Sequence, residues 1–426
     1  MKNKGIVFSL SAVLAAAVTA MSCHEKDLFD KDTYRYYVHL SYPVDTLAAD
    51  HPWTLLRRIS IPVIADAADN SISEVRIYNA HPFTEANAET VAQATVAPGE
   101  TAKLTFDVAQ TQEVMYAMLV GRSGKCYVTP FTASQATVNF SGGKTKTYDR
   151  VPEPRMQTFT YLYESSFPAA DDFDYNDLVL RLSRSNPQPN ILQLRVTLAA
   201  AGCSKKVAGA IRLPGIRYED VERVEIEEGY PFIESYPQLK NILNTDEPVC
   251  RSRSGEAVVC LFEDAHYALS ATVNELGVLT YMPYNTNPYP DGKTSQKVPL
   301  KTRTYNIYTK IGVSTDSLLL GNLDPFIIER SGEVYFEVHT YKHKFSEVLW
   351  EYLGDDKRSY DDYLSWALTI PSATFRYPVE EVPLGTHRDG ELYGAYGVKG
   401  HSFGEWVRNS QVAYDWWQHP NTALIY

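Results

Sequence analysis

The chain of 426 residues is poor in the features that mark several large classes of protein. None of its five cysteines stands in a CxxC or Cys/His spacing, so no zinc site is predicted. The HExxH and GxGxxG motifs are missing, which excludes the commonest signatures of zinc proteases and dinucleotide-binding enzymes. The sequence has 40 Lys and Arg against 52 Asp and Glu. Because nucleic-acid binding needs clustered basic side chains, no nucleic-acid partner is expected.

Long apolar runs are also scarce, and the one at residues 6–20 is too short for a membrane span of about 20 residues. Two lysines precede it, and Ala20-Met21-Ser22 leads directly to Cys23. This is the layout of a secretory signal peptide, and a cysteine at this point resembles a bacterial lipobox. We expect residues 1–22 to be the signal peptide and Cys23 to be the lipidation site, although an ordinary signal peptide is the alternative.

Acidic side chains follow the cysteine in the segment 23–33, which we interpret as a tether. Glu25, Asp27 and Asp30 resemble the acidic export signal of surface lipoproteins in Bacteroidetes. A solvated tether would need such residues in any case. The sequence therefore predicts a lipoprotein whose acyl anchor lies in the outer membrane and whose body is exposed at the cell surface.

Thirty Tyr, 24 Pro and 23 Gly predict many short strands separated by turns, not a helical bundle. Residues 58–64, 73–78 and 102–108 each alternate apolar and polar side chains, as strands with one buried face do. At this spacing we expect an immunoglobulin-like β-sandwich over residues 34–150. The Pro-containing segment 151–154 predicts a linker.

A second and larger β-rich unit is predicted over residues 157–426, where further strand patterns follow one another. Helical spacing of apolar side chains occurs only at 345–352 and 403–409. The expected fold class is mainly β: the immunoglobulin-like sandwich, then a larger β-sandwich or jelly-roll-like domain with a few short helices. Cys250 and Cys260 could face each other across a hairpin of this unit.

Side-chain oxygen donors are concentrated at residues 171–177, which hold four Asp and one Asn and lead into a strand. Carboxylates this close repel one another unless a cation lies among them, and Ca2+ accepts six to eight oxygens. We predict a calcium site formed by the side chains of Asp172, Asp174, Asn176 and Asp177. It is not an EF-hand loop, because Asp177 stands where that loop needs Gly. The alternative is an Asx-rich turn whose side chains cap their own backbone.

The acidic turn also carries a family resemblance, which continues through ordered phrases over residues 157–426. The phrases are Phe167-Pro168, Asp172 to Val179, Ile211 to Gly215, Leu261 to His266, Asp324 to Ile327, Glu337 to His339, Trp366 to Pro371, Tyr377 to Glu380 and Tyr414 to Trp416. They resemble the LruC-domain family of Bacteroidetes lipoproteins. The resemblance implies a lipoprotein domain of undefined function and brings no catalytic residue with it.

Three functions remain in order of preference. The first is a non-catalytic structural or adhesive protein of the cell envelope, with an envelope protein as its partner. The second is a carbohydrate-binding accessory lipoprotein of glycan uptake, with Trp416 and Trp417 stacking on sugar rings, although tryptophans near a chain end more often pack in the core. An enzyme comes third. Glu337, His339 and His343 would share one face of a strand, but His339 and His343 would lie about 13 Å apart, too far for one metal ion. Only Glu337 and His339 could share an ion, and a third ligand would have to come from elsewhere.

Overall fold

The computed structural model describes most of the chain after its N-terminal segment. The described residues are 42, 44–45, 47–48, 50–165, 167, 171–227, 242–243, 247–270, 281–287, 297–331, 334–344, 346–350 and 364–426. The predicted signal peptide, the lipidation site Cys23 and the tether 23–33 all lie outside these residues. None of the helices formed by the described residues has both the length and the apolar character that crossing a membrane requires.

The first part of the described chain folds into a small β-sandwich. Its strands are β1 (Leu56–Ile64), β2 (Ile72–Tyr78), β3 (Thr90–Thr95), β4 (Thr101–Ala109), β5 (Val114–Gly121), β6 (Cys126–Thr132) and β7 (Lys146–Tyr148). β1 and β4 form an antiparallel pair, and the others form a five-stranded antiparallel sheet in the order β3-β2-β5-β6-β7. Alternate residues of β1, namely Ile59, Ile61 and Val63, are buried against the five-stranded sheet. The period-two pattern of the sequence thus produces the core of this sandwich.

The second part forms a larger β-sandwich. Its strands are β8 (Thr158–Tyr163), β9 (Leu178–Gln188), β10 (Ile191–Ala200), β11 (Val207–Arg217), β12 (Val221–Glu227), β13 (Val249–Arg251), β14 (Glu256–Phe262), β15 (Lys301–Thr309), β16 (Asp324–Ser331), β17 (Val334–His339) and β18 (Ala367–Ile370). One sheet has the order β12-β15-β10-β9-β8-β18, and the other has the order β13-β14-β11-β16-β17. The mainly β fold class is confirmed.

Short helices and a small hairpin complete this unit. Helix α1 (Ala265–Ser270) follows β14, and the hairpin of β19 (Gly397–Val398) and β20 (His401–Ser402) leads into helix α2 (Phe403–Arg408). The helix predicted at 403–409 is therefore confirmed, and a capping box between Ser402 and Glu405 explains where it begins.

The helix predicted at 345–352 is wrong in its described part, because residues 346–350 are not helical. The backbone N–H groups of Val348, Leu349 and Trp350 instead donate hydrogen bonds to the buried carboxylate of Glu337. Val348 packs on the outer face of the five-stranded sheet of the larger sandwich. The carboxylate of Glu337 thus replaces the backbone carbonyl groups that would accept these hydrogen bonds in a helix.

The core of the larger sandwich extends beyond its own strands. Tyr42, Val44, Trp53 and Leu55, which precede β1, are buried in this core and not in that of the small sandwich. The ring of Trp53 meets the ring of Trp406 edge to face at 5.8 Å. The domain boundaries at 34–150 and 157–426 stay predictions, but the chain before β1 packs on the larger unit.

The two cysteines expected to face each other do so. Cys250 lies on β13 and Cys260 on the adjacent β14, and their sulfur atoms are 3.3 Å apart. Cys126 and Cys203 are buried free thiols elsewhere in the fold.

Candidate metal centre at the acidic turn

The acidic turn, residues 171–177, is fixed by two aromatic side chains that alternate with its acids. Phe173 and Tyr175 both have a φ of +56°, a left-handed conformation that is uncommon for residues with a side chain. Both side chains are buried, and the Tyr175 hydroxyl donates a hydrogen bond to the Ser365 carbonyl (2.6 Å). The Phe173 ring contacts the ring of Trp366. Core packing therefore holds a backbone conformation that the turn would not adopt by itself.

Within the turn, Asp174 and Asn176 are joined by hydrogen bonds. The Asp174 carboxylate accepts hydrogen bonds from the backbone N–H of Asn176 (2.9 Å) and from its side-chain amide (2.7 Å). It also accepts the backbone N–H of Glu381 (3.1 Å), which lies near the C-terminal end of the chain. The carboxylate of Asp177 accepts the backbone N–H of Ser165. These bonds orient the acids, as an Asx-rich turn does, and also tie distant segments to the turn.

Glu164, directly after β8, completes the acidic cluster. One of its oxygens accepts the backbone N–H of Tyr175 (3.0 Å). Carboxylate oxygens of Glu164, Asp172 and Asp174 lie within 4.8 Å of one another, a spacing at which one ion can contact all three. Of the four predicted ligands, the structure thus groups Asp172 and Asp174 with Glu164. Asn176 positions Asp174 beside them.

Glu164 and Glu380 are not predicted from the sequence, although the pKa of each is raised by burial and then by the charges of the acidic turn. Neither belongs to the run of acids at 171–177, and only the folded chain brings them near it. Glu380 lies in one of the phrases that carry the family resemblance, and Glu164 stands just before another. Their position in or beside these phrases is the feature of the sequence that could have pointed to both residues.

The electrostatics of the cluster oppose its ionisation. Burial raises the pKa of Glu164 and of Asp174 well above the usual value for a carboxyl group, and the neighbouring carboxylates raise both further. Burial also raises the pKa of Asp172, to which Asp171 contributes, and it raises that of Glu380 to about 7. The pKa of Asp177 reaches about 8 through burial, although hydrogen bonds from Ser165 oppose this rise. At neutral pH the cluster therefore needs either protons or a cation.

One oxygen of the cluster is available to such a cation. Among the described residues, Oε1 of the fully buried Glu164 has no hydrogen-bond partner. A buried acceptor without a partner is costly, and most are satisfied in folded proteins. The donor set consists of carboxylate oxygens, which suits Ca2+ and not a soft metal ion. The residues present therefore fit a calcium ion.

The proposed sugar-stacking role of Trp416 needs correction. This side chain is fully buried, and its ring packs against Phe375, Tyr396 and Phe403. An enclosed indole offers no face to a sugar ring. Trp417 is partly buried and packs on the same core.

The pair Glu337 and His339 belongs to a buried ionic network. His339 Nδ1 lies 2.8 Å from an oxygen of Asp324, and Nε2 lies 3.2 Å from an oxygen of Glu337. Arg212 forms an ion pair with Asp324 at 2.9 Å. Since both ring nitrogens contact carboxylates, the ring has no lone pair to offer a metal ion. The chain after His339 also leaves the strand, so His343 does not extend this face.

Comparison with known proteins gives a family and a fold. A family model described as a domain of unknown function, DUF4842, matches residues 191–417. No curated protein matches the chain. A solved structure described as a "putative lipoprotein from Bacteroides ovatus" is similar in fold, with a TM-score of 0.52 and 15% identity over 84% of this chain and 99% of that one. The family match covers more than half of the sequence and includes Glu380, but it begins after the acidic turn. The chain therefore belongs to the DUF4842 family.

Proposed function

We propose that this chain is a lipid-anchored protein of the outer membrane, exposed at the cell surface, with a non-catalytic structural or adhesive role. Cys23 carries the acyl anchor, and a calcium ion at the acidic turn stiffens the larger sandwich. The fold it shares with a described lipoprotein and the lipobox-like sequence before Cys23 favour the anchor. The phrases over residues 157–426 favour an LruC domain, which would overlap the DUF4842 match.

The observation that carries the calcium site is the buried carboxylate of Glu164 beside Asp172 and Asp174. Their oxygens lie within 4.8 Å of one another, and one Glu164 oxygen has no hydrogen-bond partner among the described residues. Three carboxylates at this spacing are stable together only when protonated or when they share a cation. Ca2+ accepts such oxygens at about 2.3–2.6 Å, and water can complete its coordination.

The position of the cluster favours a structural role for the ion. Glu164 follows β8, Asp172 and Asp174 precede β9, and the N–H of Glu381 binds Asp174 from the C-terminal segment. Glu164 and Asp174 are at most 1% exposed, so a substrate has little access to them. An ion here would join the end of β8 to the turn before β9 and would fix Asp174, which also accepts the N–H of Glu381, so we expect it to stabilise the fold.

Calcium is expected to raise the melting temperature of the full-length protein in detergent by a few degrees Celsius. At a Ca2+ concentration 100 times Kd, binding adds about 2.7 kcal/mol to the free energy of unfolding. Differential scanning calorimetry with EDTA and then with millimolar Ca2+ measures the shift. Asp172→Asn should abolish it without lowering the melting temperature in EDTA, because this change removes one of the repelling charges.

The matched control is Asp149→Asn, which alters an exposed Asp of the smaller sandwich and should leave the calcium shift intact. A wild-type melting temperature that does not respond to millimolar Ca2+ would rule out the site. Equal shifts in wild type and Asp172→Asn would place the ion elsewhere.

The anchor is tested separately, in cells that process lipoproteins. We expect labelled palmitate to be incorporated into the wild-type protein and to be lost in Cys23→Ser, whereas Cys126→Ser should keep the label. A membrane-impermeant amine reagent should label the wild-type protein on intact cells. Unlabelled wild-type protein after palmitate feeding would contradict the anchor, and labelling by the amine reagent only after lysis would contradict surface exposure.

A further inference from the structure

Two histidines and one aspartate meet near the C-terminus, and none of them belongs to the acidic turn. His401 Nδ1 lies 2.7 Å from Oδ2 of Asp415, and His419 Nε2 lies 3.2 Å from the same oxygen. The two imidazole rings are stacked, with their centroids 4.0 Å apart. The three donor atoms lie within 4.8 Å of one another. Three potential ligands of mixed N and O type thus converge on one point.

Two packed segments of the chain hold these three side chains in place. His401 lies on β20, directly before Ser402, which caps helix α2. Asp415 and His419 flank a short 3-10 turn at Trp416–Gln418, which is anchored by the buried Trp416. The positions of all three residues therefore follow from packed elements and not from a mobile loop.

The orientation of Asp415 is a second and independent observation. It occupies the N-cap position of the 3-10 turn, where an Asp side chain commonly accepts backbone N–H groups, yet it makes no such bond. Its carboxylate is turned toward the two imidazoles instead. The three side chains are 27–44% exposed, so an ion could reach them from solvent.

We propose that His401, Asp415 and His419 form a binding site for a divalent transition-metal ion of the Zn2+ class. Two imidazoles and one carboxylate are a common set of three protein ligands for Zn2+, with water at the remaining position. At tetrahedral metal–ligand bonds of about 2.0–2.2 Å, neighbouring donors lie roughly 3.4 Å apart. The observed distances of 2.7 and 3.2 Å would therefore open by less than an ångström on binding. The site shares no ligand with the calcium site and does not rest on the proposed function.

The probe is ZnCl2 added to the full-length protein in detergent, followed by isothermal titration calorimetry. The protein carries no histidine tag, and millimolar Ca2+ is present to occupy the acidic turn. We expect one Zn2+ per chain, and we expect His401→Ala and His419→Ala each to weaken binding by at least about tenfold, since even outer partners of a metal site contribute 10–100-fold. Co2+ in place of Zn2+ should give visible absorption bands that both variants lose.

Two controls separate this site from other places where zinc could bind. His387→Ala removes a partly buried histidine beside Arg408 and should leave Zn2+ affinity unchanged. Asp172→Asn should also leave it unchanged, because it alters only the acidic turn. Circular dichroism and the metal-free melting temperature verify that each variant is folded. Wild-type Zn2+ affinity in the folded double variant His401→Ala/His419→Ala would overturn the proposal, as would a wild-type chain that does not bind Zn2+.

Discussion

Gly202→Ala is expected to destabilise the protein severely and to abolish its response to calcium. The backbone N–H of Gly202 donates to the carbonyls of Asn176 and Asp177, which brings its Cα against the acidic turn. A methyl group at this position would overlap Oδ1 of Asn176 and would lie 2.7 Å from the Asn176 carbonyl oxygen. Asn176 would have to move, and Asp174 would lose the amide that orients it. We expect the free energy of unfolding to fall by about 3 kcal/mol or more, at the upper end of the effects of overpacking.

The measurement is the midpoint of urea unfolding, with EDTA and with millimolar Ca2+. Gly142→Ala is the matched control, because a methyl group there meets no atom within 4 Å. This control should change the midpoint little and should keep the calcium shift. Equal stability of the two variants would show that the contact between Gly202 and the turn is not as close as the structure describes.

His339→Leu is expected to lower the free energy of unfolding by about 3–5 kcal/mol at pH 6, the usual effect of removing one partner from a buried ion pair. The substitution leaves the carboxylates of Asp324 and Glu337 buried without the imidazolium between them. Arg212 and three backbone N–H groups still compensate part of their charge. Urea unfolding of wild type and variant measures the difference.

The difference in the free energy of unfolding between wild type and His339→Leu should decrease as the pH rises. Burial alone would lower the pKa of His339, but the charge and hydrogen bond of Asp324, and then those of Glu337, raise it to about 9. An unfolded histidine has a pKa of about 6.5. Because the folded protein holds the proton more tightly, the stabilisation is complete below about pH 6.5 and is lost as the pH rises through 9. The gap between wild type and His339→Leu should therefore narrow from pH 6 to pH 10.

His81→Leu is the control for this experiment, since it replaces a partly buried histidine of the small sandwich that binds Tyr148. His81→Leu should lower the free energy of unfolding by less than His339→Leu does, and the loss should not show the same dependence on pH. A gap between wild type and His339→Leu that stays constant from pH 6 to pH 10 would mean that the buried ring is neutral.

Local pattern was enough to predict much of the fold. Alternation over residues 58–64 and 102–108 predicts β1 and β4, because every second side chain of a strand lies on the same face. The spacing of Phe403, Trp406 and Val407 predicts helix α2 for the equivalent reason at a period of 3.6. The acids at 171–177 are also visible in sequence, since they are neighbours along the chain.

Local pattern failed where a distant group decided the outcome. At 346–350 the apolar spacing favours a helix, but the carboxylate of Glu337 takes the backbone N–H groups. The aromatic residues at the C-terminus could equally serve a ligand or the core, and only packing shows that Trp416 is enclosed.

By itself, the sequence determined the mainly β class, the acidic turn and the motif around Cys23, because each depends on residues close together in the chain. The tertiary structure alone decided that Glu164 joins Asp172 and Asp174 and that His401 meets Asp415 and His419. The physical reason is that a metal site requires side chains within a few ångströms of one point. When those side chains come from separate segments, only the packing of the sheets brings them together.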